Sequence, residues 1–367
     1  MSNQTGKGLE NITVASSSIS SIVGTTLTYR GYKIEDLAQH ASFEEVVYLL
    51  WYGSLPTAQE LTQFNETLFN HSTLPNEILT LLNQFPTHAN TMEVLRTCIS
   101  ALPIYLPKEN DNLEHAFHIQ AKISTLVAAM SRVRQGKEPL APKKEYSYAK
   151  NFLYMLHGST PTDLEEEAFN KALILHADHE FNASTFSSRV TVATLSDLYS
   201  GIVSAIGTLK GPLHGGANEQ VMHMLNEIGK PNQVDTYLSH AFENKKKIMG
   251  IGHRVYKNGD PRAFILKEMS QKLTELTGHQ DLFTISDAVE KIVEKEKGLK
   301  PNVDFYSASL YHALGIDTSL FTPIFAVSRT SGWTAHILEQ YQNNRLIRPR
   351  AEYIGKTSET YVSLDER

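Results

Sequence analysis

His214 lies in a segment where a side chain could meet a bound molecule. Residues 210–219 read Lys-Gly-Pro-Leu-His-Gly-Gly-Ala-Asn-Glu, so the histidine stands between a Gly-Pro turn and a glycine pair. Glycine lets the backbone approach a ligand closely, and binding residues are often carried on such turns. The segment therefore suits a ligand-contacting histidine. The alternative is a turn between two helices in which the histidine is incidental.

Residues 249–262 combine a histidine, glycines and three cations. They read Met-Gly-Ile-Gly-His-Arg-Val-Tyr-Lys-Asn-Gly-Asp-Pro-Arg, with His253 after the second glycine. Cations and free backbone N–H groups in such a set suit phosphates and carboxylates. A dinucleotide-binding loop fits poorly, because Val255 takes the place of the third glycine of GxGxxG and no strand clearly precedes the segment. A solvated basic turn is the alternative.

Asp304 is an acidic residue among apolar neighbours, in the sequence Asn-Val-Asp-Phe-Tyr at 302–306. Burial raises the pKa of a carboxyl group and makes its anion a better base. The alternative is an Asx-turn or the N-cap of a helix that begins near Tyr306.

Residues 176–184 hold two histidines three positions apart, His176 and His179, which would share a helical face. The order HxxHE matches neither HExxH nor HxxEH, and no third metal ligand stands nearby. We therefore expect no metal here, and predict that the two histidines are structural or hold a substrate.

Arginine occurs in two further segments, Ser-Arg-Thr-Ser-Gly-Trp at 328–333 and Arg-Leu-Ile-Arg-Pro-Arg at 345–350. The planar guanidinium pairs bidentately with carboxylates, so Arg329 and Arg348 are candidates for binding an acid. Surface salt bridges are the ordinary explanation for Arg345 and Arg350.

The elements that must position these groups are mainly helical. Apolar residues recur at helical spacing and strand-like alternation is short, with candidates only near residues 11–30 and at the C-terminus. The sequence therefore predicts an all-α fold. Predicted helices cover 43–51, 114–134 ending at Gly136, a segment opened by the capping box at 162–165, 190–209, a segment opened by Asp260-Pro261, 285–298 and 332–341. Residues 103–113 and 136–146 are predicted loops.

Composition excludes several classes of protein. The chain has 367 residues, 41% of them hydrophobic, and a formal charge of −6 without basic clusters, so neither nucleic acid nor a membrane surface is an expected partner. The single cysteine, Cys98, allows no intrachain disulfide and fits a reducing compartment. The polar N-terminus lacks a signal-peptide core, and no apolar run approaches the roughly 20 residues that span a bilayer. We therefore expect a soluble, cytoplasmic protein.

Taken together, the motifs resemble those of the citrate synthase family. GPLHGG, GxGHRVYKxxDPR, NVDF and FAVSR occur in the family's order and spacing, and the likeness extends from Leu27-Thr-Tyr-Arg-Gly-Tyr to residues 343–350. The chain looks most like the short, dimeric bacterial members. The resemblance implies an enzyme, an acyltransferase that condenses acetyl-CoA with oxaloacetate and hydrolyses the citryl thioester. It implies no permanently bound cofactor, with acetyl-CoA as co-substrate.

The resemblance also implies roles for the candidate residues. Asp304 matches the base that deprotonates acetyl-CoA, His214 the donor to the thioester oxygen, and His253 the group that polarises the oxaloacetate carbonyl. The oxaloacetate carboxylates are expected to meet His179, Arg262, Arg329 and Arg348, the last from the other subunit of a homodimer. Tentative contacts to CoA are Met249, Gly250, Ile251, Gly252 and Lys257.

The implied fold is a large helical domain, residues 1–215 and 321–367, with a smaller mobile helical domain, 216–320, inserted. Phe181-Asn182 stands where the mammalian members carry a Gly-Gly pair, which leaves the packing around His179 open. Two alternatives share these residues. One is 2-methylcitrate synthase, which uses propionyl-CoA, and the other is a non-catalytic protein that binds CoA or a dicarboxylate.

Overall fold

The protein is mainly helical, as a computed structural model shows. The structure describes residues 7–9, 12–107, 111–253, 255–256 and 259–367. The α-helices of this part are α1 Ile34–His40, α2 Phe43–Tyr52, α3 Ala58–Asn70, α4 Asn76–Gln84, α5 Thr91–Tyr105, α6 Asn112–Arg134, α7 Tyr148–His157, α8 Asp163–His176, α9 Ala183–Val192, α10 Leu198–Leu209, α11 Ala217–Ile228, α12 Val234–Glu243, α13 Pro261–Leu276, α14 Gln280–Lys297, α15 Val303–Ala313 and α16 Phe321–Gln342. Short 3₁₀ turns lie at Lys7–Leu9, Pro231–Gln233, Thr318–Leu320 and Leu364–Glu366. The all-α prediction is confirmed.

The sheet is small and lies near the N-terminus. Its strands are β1 Ser20–Val23, β2 Thr26–Tyr29 and β3 Tyr32–Lys33, and they pair antiparallel in that order. In β1 and β2 this agrees with the strand candidates near residues 11–30. The predicted C-terminal strand is wrong, because residues 343–363 form no strand and end in the last 3₁₀ turn.

Two helices form the centre of the fold. Residues 116–131 of α6 are all buried, and nearly all of α16 from Phe321 to Ile337 is buried as well. α16 packs against α2, α6, α8, α9 and α10, so this last helix contacts helices from widely separated parts of the chain. α13 packs on α15 and also on α8, which brings the segment after residue 260 to the end of α8.

Several predicted helix ends are confirmed by their capping geometry. Thr162 and Glu165 form a reciprocal capping box at the start of α8. The side chain of Asp260 caps α13, with proline at the first helical position. Gly298 ends α14 in the left-handed conformation. α6 ends at Arg134 as predicted, but its C-cap is Gln135 and not Gly136, which follows at φ +69°.

Two local predictions were wrong. Residues 190–209 are not one helix, because α9 ends at Val192 and α10 begins at Leu198. Between them Leu195 takes a positive φ of 65°, and the side chain of Asp197 accepts a hydrogen bond from the Ser200 amide to start a new helix. The predicted loop at 103–113 begins later, since Pro103 lies in the last turn of α5.

Within the described residues, no helix is both long and apolar enough to cross a membrane.

Candidate active site

Asp304 lies in the first turn of α15. Its amide donates to the Asn302 side chain at 3.0 Å, which caps the helix. Its Oδ1 atom is buried and accepts no hydrogen bond from the described residues. Burial raises the pKa of this carboxyl to about 6, although the nearby guanidinium groups of Arg262 and Arg329 pull it down. A carboxylate held this way is ionised at neutral pH and is more basic than an exposed one.

His253 has one ring nitrogen committed to the backbone. Its Nδ1 atom accepts from the amides of Val255 at 3.0 Å and Tyr256 at 3.2 Å. An acceptor nitrogen carries no proton, so the neutral ring carries its proton on Nε2. The ring contacts those of Tyr256 and His179, with centroids 4.7 Å and 5.3 Å away. This geometry makes His253 a donor through Nε2.

The backbone before His253 is hydrogen-bonded to the segment before Asp304. Ile251 and Pro301 form an antiparallel bridge, and the Gly252 amide donates to the Lys300 carbonyl at 2.7 Å. The Asn302 side chain donates to the Gly252 carbonyl at 2.8 Å. The same Asn302 therefore fixes the start of α15 and the loop that carries His253.

His214 is held by the start of α9. Its Nε2 atom lies 3.3 Å from the Ser184 amide, which donates to it, and 2.8 Å from the Ser184 hydroxyl. That hydroxyl accepts from the Trp333 indole at 3.0 Å. Because a backbone N–H can only donate, Nε2 is the acceptor and the neutral ring carries its proton on Nδ1. Burial, helped by the charge of Arg329, lowers the pKa of His214 to about 4, so the ring is neutral at neutral pH.

The turn that carries His214 depends on glycine. The Gly215 amide donates to the Leu209 carbonyl at 2.9 Å, which folds the chain back on the end of α10. A Cβ on Gly215 would overlap the Leu209 carbonyl oxygen and side chain. Gly215 is therefore needed for the close packing of this turn against Leu209. On the other side of His214, the Leu213 side chain is fully exposed.

Two buried arginines lie close to these groups. Arg262 pairs with Asp260 through two hydrogen bonds of 2.9 and 2.8 Å, and both residues are buried. Asp260 also accepts from the Val303 amide at 3.0 Å, which links the arginine to the start of α15. Arg329, in the middle of α16, donates from Nε to the His176 carbonyl at 2.6 Å. Burial lowers the pKa of Arg329 to about 10, so it remains a cation at neutral pH.

His179 completes the group that the structure brings together. Its Nε2 atom lies 3.1 Å from the Tyr256 hydroxyl. Burial and the charges of Arg262 and Arg329 hold the pKa of His179 well below its usual range. Gly332 allows this placement, because a Cβ there would overlap the Ala177 carbonyl oxygen and the side chain of Asp178, the residue before His179. The arrangement offers two cations and neutral imidazoles to an acid.

The residues on either side of His179, which are His176 before it and Phe181-Asn182 after it, make structural contacts. The Nδ1 atom of His176 lies 2.7 Å from the Ala172 carbonyl of its own helix, so this histidine is structural. Asn182 caps α9 by accepting from the Thr185 amide at 3.1 Å. Phe181 lies under the Arg189 guanidinium at 4.8 Å and against the His336 ring. The two residues that replace Gly-Gly therefore have structural contacts of their own.

Some predicted residues lie elsewhere. Arg348 is exposed in the C-terminal segment, where it makes no hydrogen bond or ion pair with any described residue. It lines a groove of about 1510 Å³ together with Arg189 and Glu339. Lys257 lies outside the described residues. The tentative CoA residues Met249–Gly252 are half-buried or buried in the loop that pairs with 300–302.

Sequence reasoning gave no role to Ser184, Trp333, Asn302 or Tyr256. Asn302 carried a signal, since it precedes an apolar helix start, but the sequence does not show that it also holds the Gly252 carbonyl. Ser184 and Trp333 are 149 positions apart, and no local pattern pairs them.

Known proteins resemble this chain over nearly its whole length. The model of the family described as citrate synthase, C-terminal domain, matches residues 8–350. Citrate synthase 2 of Bacillus subtilis is 56% identical over 368 residues, 98% of this chain and 99% of that protein. 2-Methylcitrate synthase 1 of Corynebacterium glutamicum is 41% identical over 377 residues, covering 100% of this chain and 99% of that protein.

Solved structures show the same fold. One is a citrate synthase from Thermoplasma acidophilum, a ternary complex with carboxymethyl coenzyme A and oxaloacetate. It has a TM-score of 0.92 at 36% identity and covers 98% of each chain. The citrate synthase of Thermotoga maritima has a TM-score of 0.89 at 40% identity, covering 98% of this chain and 99% of that one.

Proposed function

The chain belongs to the citrate synthase family of acyltransferases, and from this premise we propose that it condenses acetyl-CoA with oxaloacetate and water to give citrate and CoA. The observation that carries the proposal is a buried carboxylate of raised pKa, Asp304, whose helix start is hydrogen-bonded through Asn302 to the loop of His253. His214 and His253 each have one ring nitrogen fixed as an acceptor. A positioned base and two neutral donors are the groups that enol formation and carbonyl attack require. We place the protein in the cytoplasm, at the start of the tricarboxylic acid cycle.

In the proposed first step Asp304 removes a proton from the methyl group of acetyl-CoA. This methyl proton is very weakly acidic, so the negative charge that develops on the thioester oxygen must be stabilised by a hydrogen bond. In the proposal the Nδ1–H group of His214 donates that hydrogen bond. His253 donates from Nε2 to the ketone of oxaloacetate, which makes that carbon more electrophilic. The enol carbon attacks it to form citryl-CoA, and water then cleaves the thioester to release CoA.

The proposed oxaloacetate site uses Arg262, Arg329 and His179 from the same chain. Arg262 is already paired with Asp260, so Arg329 is the cation with more charge left for a substrate carboxylate. We propose that Arg348 of a second copy completes the site, which makes the homodimer the active form. In the CoA site we propose the Met249–Gly252 backbone, together with Lys257.

The proposed domains, 1–215 with 321–367 and 216–320, divide the catalytic groups between them. His214 lies at the boundary of the large domain and Arg329 within it, whereas His253 and Asp304 belong to the small one. Closure of the cleft would exclude water before the enol forms. No prosthetic group enters these steps.

The second candidate is 2-methylcitrate synthase. It is favoured by the 2-methylcitrate synthases of Corynebacterium glutamicum and Shewanella oneidensis, which are 40–41% identical to this chain over nearly its whole length. One methylene in an acyl pocket is worth about 1–3 kcal/mol, so some activity with both thioesters is expected. A non-catalytic binding protein is a remote alternative, since all three catalytic positions carry competent groups.

The test is CoA release by purified protein, with acetyl-CoA and propionyl-CoA offered separately, each with and without oxaloacetate. Release from acetyl-CoA that requires oxaloacetate supports the proposal, and a higher kcat/KM for propionyl-CoA would move the substrate to the methylcitrate branch. Asp304→Asn is the control, because it keeps the size of the side chain and removes the base. Oxaloacetate binding without turnover in the wild type would favour the non-catalytic alternative.

A further inference from the structure

A second cluster of possible ligand groups lies where the end of α3 meets the start of α6. His71 is the C-cap residue of α3, while Glu114 and His118 lie one turn apart on α6. One ligand atom from each residue lies within 4.8 Å of the other two. None of the three was assigned a part in the reaction. Two imidazoles and one carboxylate are a ligand set that zinc sites use.

His71 and Glu114 are close without forming a hydrogen bond. Their Nε2 and Oε2 atoms are 3.0 Å apart, yet this buried oxygen accepts no hydrogen bond from the described residues. The oxygen therefore lies off the direction of the ring N–H. Adjacent ligands of a tetrahedral zinc have the same relation, since bonds of about 2.0–2.1 Å put them about 3.4 Å apart with both lone pairs aimed at the ion.

His118 supplies the third group. It is buried, and its ring centroid lies 4.4 Å from that of His71. Its Nδ1 atom is 3.4 Å from the Tyr199 hydroxyl, which leaves Nε2 to bind an ion. A polar partner on the other ring nitrogen is usual for histidine ligands.

The positive charge of Lys122 disfavours the binding of a metal ion by this cluster. This lysine lies one turn beyond His118, and its ammonium donates to the His71 carbonyl. That bond fastens the end of α3 to α6 and so holds His71 in place. The charge disfavours a second cation, while the Glu114 carboxylate offsets it. Affinity is therefore expected to be lower than for a site without a neighbouring lysine.

We propose that His71, Glu114 and His118 bind one divalent transition-metal ion of the zinc class, with water completing the coordination. Imidazole ligands favour such ions over Mg²⁺ and Ca²⁺, which prefer oxygen. The three ligand atoms lie within 4.8 Å of one another, so small side-chain rotations bring each of them to bonding distance of one ion. The ion joins α3 to α6, so its effect is on stability and not on the chemical step.

The test is equilibrium dialysis of the metal-free full chain against Co²⁺, with visible absorption to report the coordination and Zn²⁺ as competitor. We expect one Co²⁺ equivalent per chain that is lost in His118→Ala and in Glu114→Gln. His88→Ala, which removes an exposed histidine of the loop between α4 and α5, controls for non-specific binding and should keep it.

The active-site histidines His179, His214 and His253 can also bind some Co²⁺, and this background is the same in every variant. The result is therefore the difference in bound Co²⁺ between the wild type and each variant. Glu114→Gln keeps the size of a half-exposed side chain, and its fold is checked by oxaloacetate-dependent CoA release. If either variant keeps the full wild-type stoichiometry, or if the wild type binds no more Co²⁺ than the variants, the site does not exist.

Discussion

His214 and His253 are each oriented by backbone N–H groups that donate to one ring nitrogen. The Ser184 amide donates to Nε2 of His214, and the amides of Val255 and Tyr256 donate to Nδ1 of His253. The ring nitrogens that carry the proton are therefore Nδ1 in His214 and Nε2 in His253. A backbone donor cannot switch to an acceptor, so the ring tautomers hold without a charged partner.

Ser184→Ala removes the hydroxyl next to Nε2 of His214 and the acceptor of the Trp333 indole. We expect kcat/KM for acetyl-CoA to fall about tenfold, because one hydrogen bond is worth about 1–1.5 kcal/mol. Ser187→Ala on the same helix is the matched control, since Ser187 bonds to the Ser184 carbonyl and to Thr208 instead. Equal rates in the two variants would contradict this role for Ser184.

Protonation of Asp304 should make kcat/KM fall at low pH. The pKa of Asp304 is raised to about 6 by burial, and only the ionised form can accept the methyl proton. Below that pH the protonated fraction grows, so kcat/KM should fall by about tenfold per pH unit. Steady-state rates between pH 5 and 8 measure this, and return from pH 5 to pH 8 with full recovery excludes unfolding. A profile that is flat down to pH 5 would show that Asp304 is not the base.

At the scale of elements, the site depends on how α15 meets the loop at 249–252. Gly250 has a φ of +72°, and a Cβ there would lie 2.6 Å from Val221 and 2.9 Å from the Phe305 Cα atom. Only glycine allows both the conformation and the contact. The loop thus lies directly against α15, and this contact sets the distance between His253 and Asp304.

Gly250→Ala should separate the loop from α15. We expect kcat to fall at least tenfold, because a displacement on the order of 1 Å can cost that much in a positioned reaction. Gly298→Ala is the matched control, with φ +65° and no atom within 4 Å of the added Cβ, so it shares the backbone strain without the overlap. Comparable losses of turnover in both variants would assign the effect to strain alone.

The sequence predicted elements where the signal is local and missed those set by distant contacts. The capping box at Thr162 and the Asp260-Pro261 helix start are short patterns with one physical outcome, and both were predicted. The break at 193–197 was missed, because the positive φ at Leu195 is a conformation that no local sequence pattern marks there. The bond between Trp333 and Ser184 joins residues far apart in the chain, so only the fold reveals it.

At the scale of the whole molecule, the C-terminal segment exposes apolar side chains. After α16, residues 343–367 form no helix except the last 3₁₀ turn, and large apolar side chains such as Tyr353, Ile354, Tyr361 and Leu364 are 72–93% exposed. Apolar side chains clustered in an exposed segment usually mark a surface that another chain covers. This supports the proposal that Arg348 acts in a second subunit, since it lies at the start of that segment.

Mixing two inactive variants tests whether Arg348 serves the other subunit. Arg348→Ala lacks the arginine and Asp304→Asn lacks the base, so each homodimer should be nearly inactive. In a hybrid dimer with the arginine in trans, one site combines the intact Asp304 of one chain with the intact Arg348 of the other. Random re-assortment then restores about a quarter of the wild-type activity, because half of the dimers are hybrids and each has one complete site.

The result separates the two arrangements without a structure of the complex. If Arg348 served its own chain, every site in the hybrid would lack one group, and mixing would restore nothing. Hybrid formation is verified by tagging one variant and measuring the other in the purified pair. Arg345→Ala in place of Arg348→Ala is the control, because it removes an exposed arginine from the same segment. The Arg345→Ala homodimer should be active without mixing. A loss of activity equal to that of Arg348→Ala would mean that the substitution damages the segment, and not that oxaloacetate has lost a ligand.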